Sequence, residues 1–135
     1  MEGVSAIFGM HNKPDLPVGT IGLLSGPLMA SVDGFNITVS GKAGHAAVPD
    51  AAIDPIVAAS AIVGGLQTAV SRSISPFESA VVSVCQFHAG TSWNVIPDTA
   101  ALDGTVRTFH PQVRQKIPEL LERIATGIAA GFGAR

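Results

Sequence analysis

The chain has 135 residues, a length that suits one domain, and 47% hydrophobic against 13% charged residues is ample for a packed core. That balance argues against wholesale disorder, and a net charge of −2 supplies no basic field for nucleic acid. The N-terminus has no signal-peptide pattern, the most apolar stretch is broken by polar residues and glycines, and the lone Cys85 excludes an internal disulfide framework, so a soluble cytoplasmic protein away from membranes is expected.

Residues 4–8 form a short apolar run of strand type. The loop HNKPDLPVG follows, and its prolines and turn formers exclude regular structure as far as Val18. Residues 20–25 suit a second short strand, ended by Gly26-Pro27. Residues 30–40 alternate as a strand, with Phe35, Ile37 and Val39 on one face and Asn36, Thr38 and Ser40 on the other. After the loop GKAGHAAVPD, Asp54 is placed to cap a helix whose first residue is Pro55. Ile56, Ala59, Val63, Leu66 and Val70 recur at helical spacing as its buried stripe, and the many small residues around them permit close approach of a neighbour. Ser75-Pro76 closes this helix.

Residues 80–88 and 100–108 read as strands, separated by GTSWNVIPD, which is too long for a two-residue hairpin. The last helix spans residues 111–127, with Val113, Ile117, Leu120, Leu121, Ile124 and Ile128 as its apolar face; Pro118 should kink it or mark its true start. From residue 30 the order is strand, helix, strand, strand, helix, which is a split βαβ arrangement without its last strand. The expected fold is α+β: a ferredoxin-like sandwich of an antiparallel sheet with two helices on one face, lacking the fourth strand that would begin near GFGAR. The open edge of the 30–40 strand is expected to be covered by the N-terminal segment or by a partner chain.

Three glycine-flanked segments place polar residues where the chain is not regular. In GKAGHAAVP the small residues leave the His45 imidazole uncovered, and imidazole can donate a proton or stabilise an oxyanion near neutral pH. A loop histidine with no task is the competing reading. In WNVIPD, Asn94 can offer its amide to a carbonyl or carboxylate, against the alternative of an ordinary turn asparagine. In GTVRTF, Arg107 ends a strand that is almost free of charge and suits bidentate capture of a carboxylate, against the alternative of a surface ion pair. His11 follows the first apolar run and could be a metal ligand, although one histidine makes no site. His88 reads as structural, alternating with Val82, Val84 and Gln86; His110 reads as a helix-start residue and Cys85 as a small buried hydrophobe.

Taken together, the segments AIFGMHNKPDLPVGTIG, GPLMASVDGFNITVSGKAGHAAVP, DPIVAAS, LQTAVSR, NVIPD and GTVRTF resemble the zinc metallopeptidase family that includes aminoacylase, hippurate hydrolase and the indole-acetyl-amino-acid hydrolases. The resemblance covers nearly the whole chain in the right order. It implies a metal-dependent amidohydrolase of N-acyl amino acids, with zinc or another divalent metal as two ions in a catalytic domain and a ferredoxin-like lid that forms a homodimer. Residues 1–25 would then end the catalytic domain, and 26–135 would be the dimerisation (lid) domain. The resemblance also assigns roles: His11 as a metal ligand of the complete enzyme, His45 as an oxyanion-stabilising group reaching the partner's active site, and Asn94 and Arg107 as substrate-binding residues. Dimerisation is expected through the first helix and the 80–88 strand. The family's remaining metal ligands and its general base have no counterpart in these residues, so the chain alone is expected to be inactive and to bind no catalytic metal tightly. The alternative is a free-standing ferredoxin-like module that dimerises or binds a small ligand without catalysis.

Overall fold

A computed structural model describes residues 2–135. Three long strands, β1 (Asp33–Ser40), β3 (Ala80–Ala89) and β5 (Thr99–Thr108), form an antiparallel sheet in the order β1-β5-β3. Two short strands, β2 (Gly44–His45) and β4 (Val95–Ile96), pair separately. Helices α1 (Pro55–Ser73) and α2 (Pro111–Gly131) pack on each other and on the sheet. The expected α+β, ferredoxin-like sandwich is thus the fold observed.

Alternation explains the sheet. Val39, Ala100, Leu102, Val106 and Val82 are buried under the helices, while Asn36, Thr38 and Arg107 fall on the helix-free face. The core is completed by Ala58, Ala59, Ile62, Leu66 and Ala69 of α1 and by Val113, Ile117, Leu120, Leu121, Ala125 and Ala129 of α2. At the start of α1 the Asp54 carboxylate accepts from the N–H groups of Ile56 and Val57, with Pro55 first in the helix. His110 caps α2 through Nδ1, which accepts from the Gln112 N–H at 3.2 Å.

Several expectations are corrected. The expected stripe of α1 holds in part: Ala59 and Leu66 are buried and Val63 and Val70 pack partly buried against the core, but Ile56 is exposed and the fully buried line is turned toward Pro55, Ala58, Ile62 and Ala69. Helix α2 starts at Pro111, capped by His110, so Pro118 lies within the helix rather than marking its true start, and the helix continues to Gly131. Residues 4–8 and 20–25 form no strands: this segment is exposed, and its backbone bonds are the turns Leu16 N–H to Lys13 O and Thr20 N–H to Pro17 O. A strand without a neighbour has no partner for its backbone groups. Residues 30–32 precede β1, where the Ser31 N–H donates to the Thr108 carbonyl.

The N-terminal segment also leaves the outer edge of β1 uncovered. Instead, α2 ends in a Schellman turn, with Gly133 at φ 73 and the Ala134 N–H donating to Ala129 O. This turn brings Arg135 beside Ser40, where the two residues exchange both backbone hydrogen bonds, at 2.6 and 2.8 Å. That reciprocal pair lies on the outer edge of β1, on the side away from β5.

A β-bulge between Val84 and Gln86 corrects two further readings. It sets Cys85 out of the ladder, exposed, rather than buried. It also reverses the strand's phase: Val82 and Val84 face the helices, whereas Gln86 and His88 sit opposite Asp103 and Ala101 on the helix-free face. There His88 Nε2 lies 3.3 Å from Gln86 Oε1.

Candidate functional site

The segment carrying His45 is a folded platform. Lys42 and Ile53 exchange backbone hydrogen bonds at 2.8 and 3.0 Å, closing the chain on itself, and the Gly41 N–H donates to Asp98 O. A Cβ on Gly41 would collide with the Ile53 carbonyl and lie 2.9 Å from Pro55 Cδ, so this closure requires glycine. His45 then pairs with Val95 in the β2–β4 ladder, and the Ala46 N–H donates to the Asn94 carbonyl at 3.1 Å. The structure therefore brings His45 and Asn94 onto one small ribbon, although they lie far apart in sequence.

The exposed His45 ring is oriented by a local bond. The Ala47 N–H donates to its Nδ1 at 3.1 Å. With Nδ1 accepting, the neutral imidazole carries its proton on Nε2, which is a free donor aimed away from the backbone turn. Asn94 is half-buried, and its Oδ1 accepts from the Ser92 hydroxyl at 2.9 Å, leaving the amide nitrogen as a donor. Both residues thus present N–H groups, the polarity needed to bind a carbonyl oxygen or an oxyanion.

Arg107 is elsewhere. It lies opposite Val81 near the far end of β5, roughly 25 Å from Thr99 by strand rise. Arg114 takes the ion pair of this region, a bidentate contact with Asp33 at 2.8 and 2.7 Å, and Arg107 makes no ion pair or side-chain hydrogen bond among the described residues. The surface ion pair considered for Arg107 is therefore not formed among the described residues.

His11 lies exposed in the N-terminal segment. No grouping of three or more His, Cys, Asp or Glu that could hold a metal occurs among the described residues, so His11 is one isolated donor and these residues do not build a metal centre. The β2–β4 ladder and the apolar residues beside it escaped the sequence reading. Val48, Trp93 and Val95 are all exposed around His45 and Asn94, and two-residue strands are too short to show a period.

Two surfaces share an unusual lack of charge. The outward face of α1 presents Ile56, Val57, Ser60, Gly64, Gln67, Thr68 and Ser71, with Arg72 as its first ion. The hydroxyls of Ser60, Thr68 and Ser71 turn back onto helix carbonyls. By contrast, α2 presents Arg114, Lys116, Glu119, Glu122 and Arg123 to solvent. Beside α1 runs β3, an edge strand without Lys, Pro or acid, interrupted only by the bulge at Cys85. No helix among the described residues is long and apolar enough to cross a membrane.

A helix face free of charge thus lies beside the edge strand β3, and residues 31–131 match the family of peptidase dimerisation domains. The chain belongs to that family. It is 63% identical over its whole length to an N-acetylcysteine deacetylase of Bacillus subtilis, and 44% identical over 99% of its length to an N-acyl-L-amino acid amidohydrolase of Geobacillus stearothermophilus. It covers 36% of each of those two proteins. Among solved structures, a dinuclear metal-binding peptidase of the M20 family from Bacillus subtilis superposes with a TM-score of 0.75 at 57% identity, over 99% of this chain and 32% of that one. The chain therefore spans about a third of the proteins it resembles.

Proposed function

We propose that the chain is the lid of a dimeric, metal-dependent amidohydrolase that cleaves N-acyl amino acids. In this reading residues 26–135 form the lid and residues 1–25 the end of a catalytic domain, whose divalent metals and other ligands lie outside these residues. The exposed apolar side chains of Val4, Ile7, Phe8 and Met10 support that division, since they have nothing in the lid to cover them. The lid alone is inactive. It supplies His45 as an oxyanion-stabilising donor and Asn94 and Arg107 as substrate anchors, while His11 serves as a metal ligand in the complete enzyme.

The observation that carries this reading is the separation of Arg107 from the His45–Asn94 ribbon. Antiparallel pairing of β3 with β3 of a second copy sets the Val81 end of one strand against the Ala89 end of the other. Across the ladders, the Val81 end leads to Arg107 and the Ala89 end leads to Ala100 and the ribbon beyond. Arg107 and the partner's ribbon are then about 14 Å apart laterally, three inter-strand spacings, which a small amino-acid derivative and two side chains can bridge. Each site so formed takes its carboxylate anchor from one chain and its oxyanion donors from the other.

The test is complementation in the complete enzyme. His45→Ala and Arg107→Ala should each abolish most turnover. Refolding the two inactive proteins together should restore activity, because one site of each mixed dimer has both native residues. Failure of the mixture to recover, with mixed dimers present, would contradict the shared site.

A further inference from the structure

Besides Phe8 of the N-terminal segment, two aromatic side chains are left almost wholly in water. Phe77 is 96% exposed in the turn just before β3, and Trp93 is 95% exposed just after it, beside Asn94. A single exposed aromatic side chain needs no explanation, but two of them at the two ends of one edge strand suit a surface that another molecule covers. They flank β3 almost symmetrically, with Cys85 at the midpoint of both the strand and the pair.

We propose that Phe77 of one copy packs on Trp93 of a second copy, forming an aromatic clasp at each end of the β3–β3 pairing. An antiparallel dimer whose two-fold axis passes near Cys85 sets the turn before one strand against the loop after the other. The same operation that brings Phe77 to the partner's Trp93 sets Arg107 at the same end of the pairing as the partner's Asn94, because Arg107 is held opposite Val81 and Asn94 follows Trp93. The clasp thus walls the shared substrate site on its apolar side. Val48 and Val95, each 47% exposed around His45, extend that wall. A second copy, rather than an unrelated protein, is the occupant because the residues match a dimerisation family and the spacing about Cys85 is self-complementary. The clasp rests on the β3-paired dimer proposed above.

Trp93 is the only tryptophan in the chain, so its fluorescence reports this contact without a label. The 135-residue chain is diluted across its dimer–monomer transition, followed by sedimentation and by acrylamide quenching of Trp93. The expected result is a tryptophan shielded in the dimer and accessible in the monomer. Phe77→Ala should weaken the dimer about tenfold or more and leave Trp93 accessible even in the dimer that forms. Trp93→Ala should weaken it similarly, and the double variant should be little worse than either single one, the mark of a direct pair. Both residues are exposed in the single chain, so neither change threatens folding. A stable dimer with Trp93 still accessible, or additive losses in the cycle, overturns the clasp while leaving the β3-paired dimer intact. A chain that stays monomeric at every concentration overturns both.

Discussion

At the scale of single residues, His45 shows how a short loop can fix a tautomer. The Ala47 N–H occupies Nδ1, so the ring offers Nε2–H without needing to be protonated. The loop that makes this bond depends on Gly41, whose missing Cβ lets the Ile53 carbonyl come close. Gly41→Ala should destabilise the chain by about 1–3 kcal/mol through that collision, read as a lower urea midpoint. An unchanged midpoint would show that the closure tolerates a side chain. Asp33 offers a second residue-level test. The hydrogen bonds from Arg114 hold its carboxyl below the usual carboxylate range; the Arg114 charge and the Ser31 hydroxyl add to this, and partial desolvation opposes it. A carboxyl depressed on folding stabilises the folded state above its unfolded pKa, about 3.9, and that contribution disappears as pH falls through the lower folded value. The difference in Tm between the native chain and Arg114→Gln should therefore shrink below about pH 4. A difference independent of pH would assign the pair no electrostatic role. The exposure of both groups keeps the effect small.

At the scale of elements, much was legible because burial imposes a period. The inward set Phe35, Ile37 and Val39, the Asp54-Pro55 start of α1 and the apolar face of α2 were all readable from spacing. What was missed has no period to read. The bulge at Cys85 inserts one residue, and one residue is enough to turn Gln86 and His88 to the opposite face and to expose a cysteine assigned to the core. The β2–β4 ladder is two residues long and pairs segments distant in sequence, so the proximity of His45 to Asn94 was invisible before the fold. The stripe of α1 was legible through Ala59, Val63, Leu66 and Val70 but not at its start, where Ile56 is exposed and Ala58 and Ile62 are buried instead. Which of His45, Asn94 and Arg107 lie together was not legible, because their meeting depends on the fold.

At the scale of the whole molecule, the α1 face and the β3 edge are features that one copy alone does not explain. Gly64 lies exposed in the middle of α1 with nothing near the position of its Cβ, and a glycine there weakens the helix by about 1 kcal/mol relative to alanine. A second helix packing closely at that point gives the absence of a side chain a purpose. The most direct test of the account is therefore sedimentation of the native chain beside Gly64→Arg. That substitution meets no atom of the single chain, so folding should survive it, while a guanidinium would be driven into the charge-free contact. The account predicts a native dimer and a folded Gly64→Arg monomer. A Gly64→Arg chain that dimerises as tightly as the native one would place the contact elsewhere and dissolve the shared site built on it.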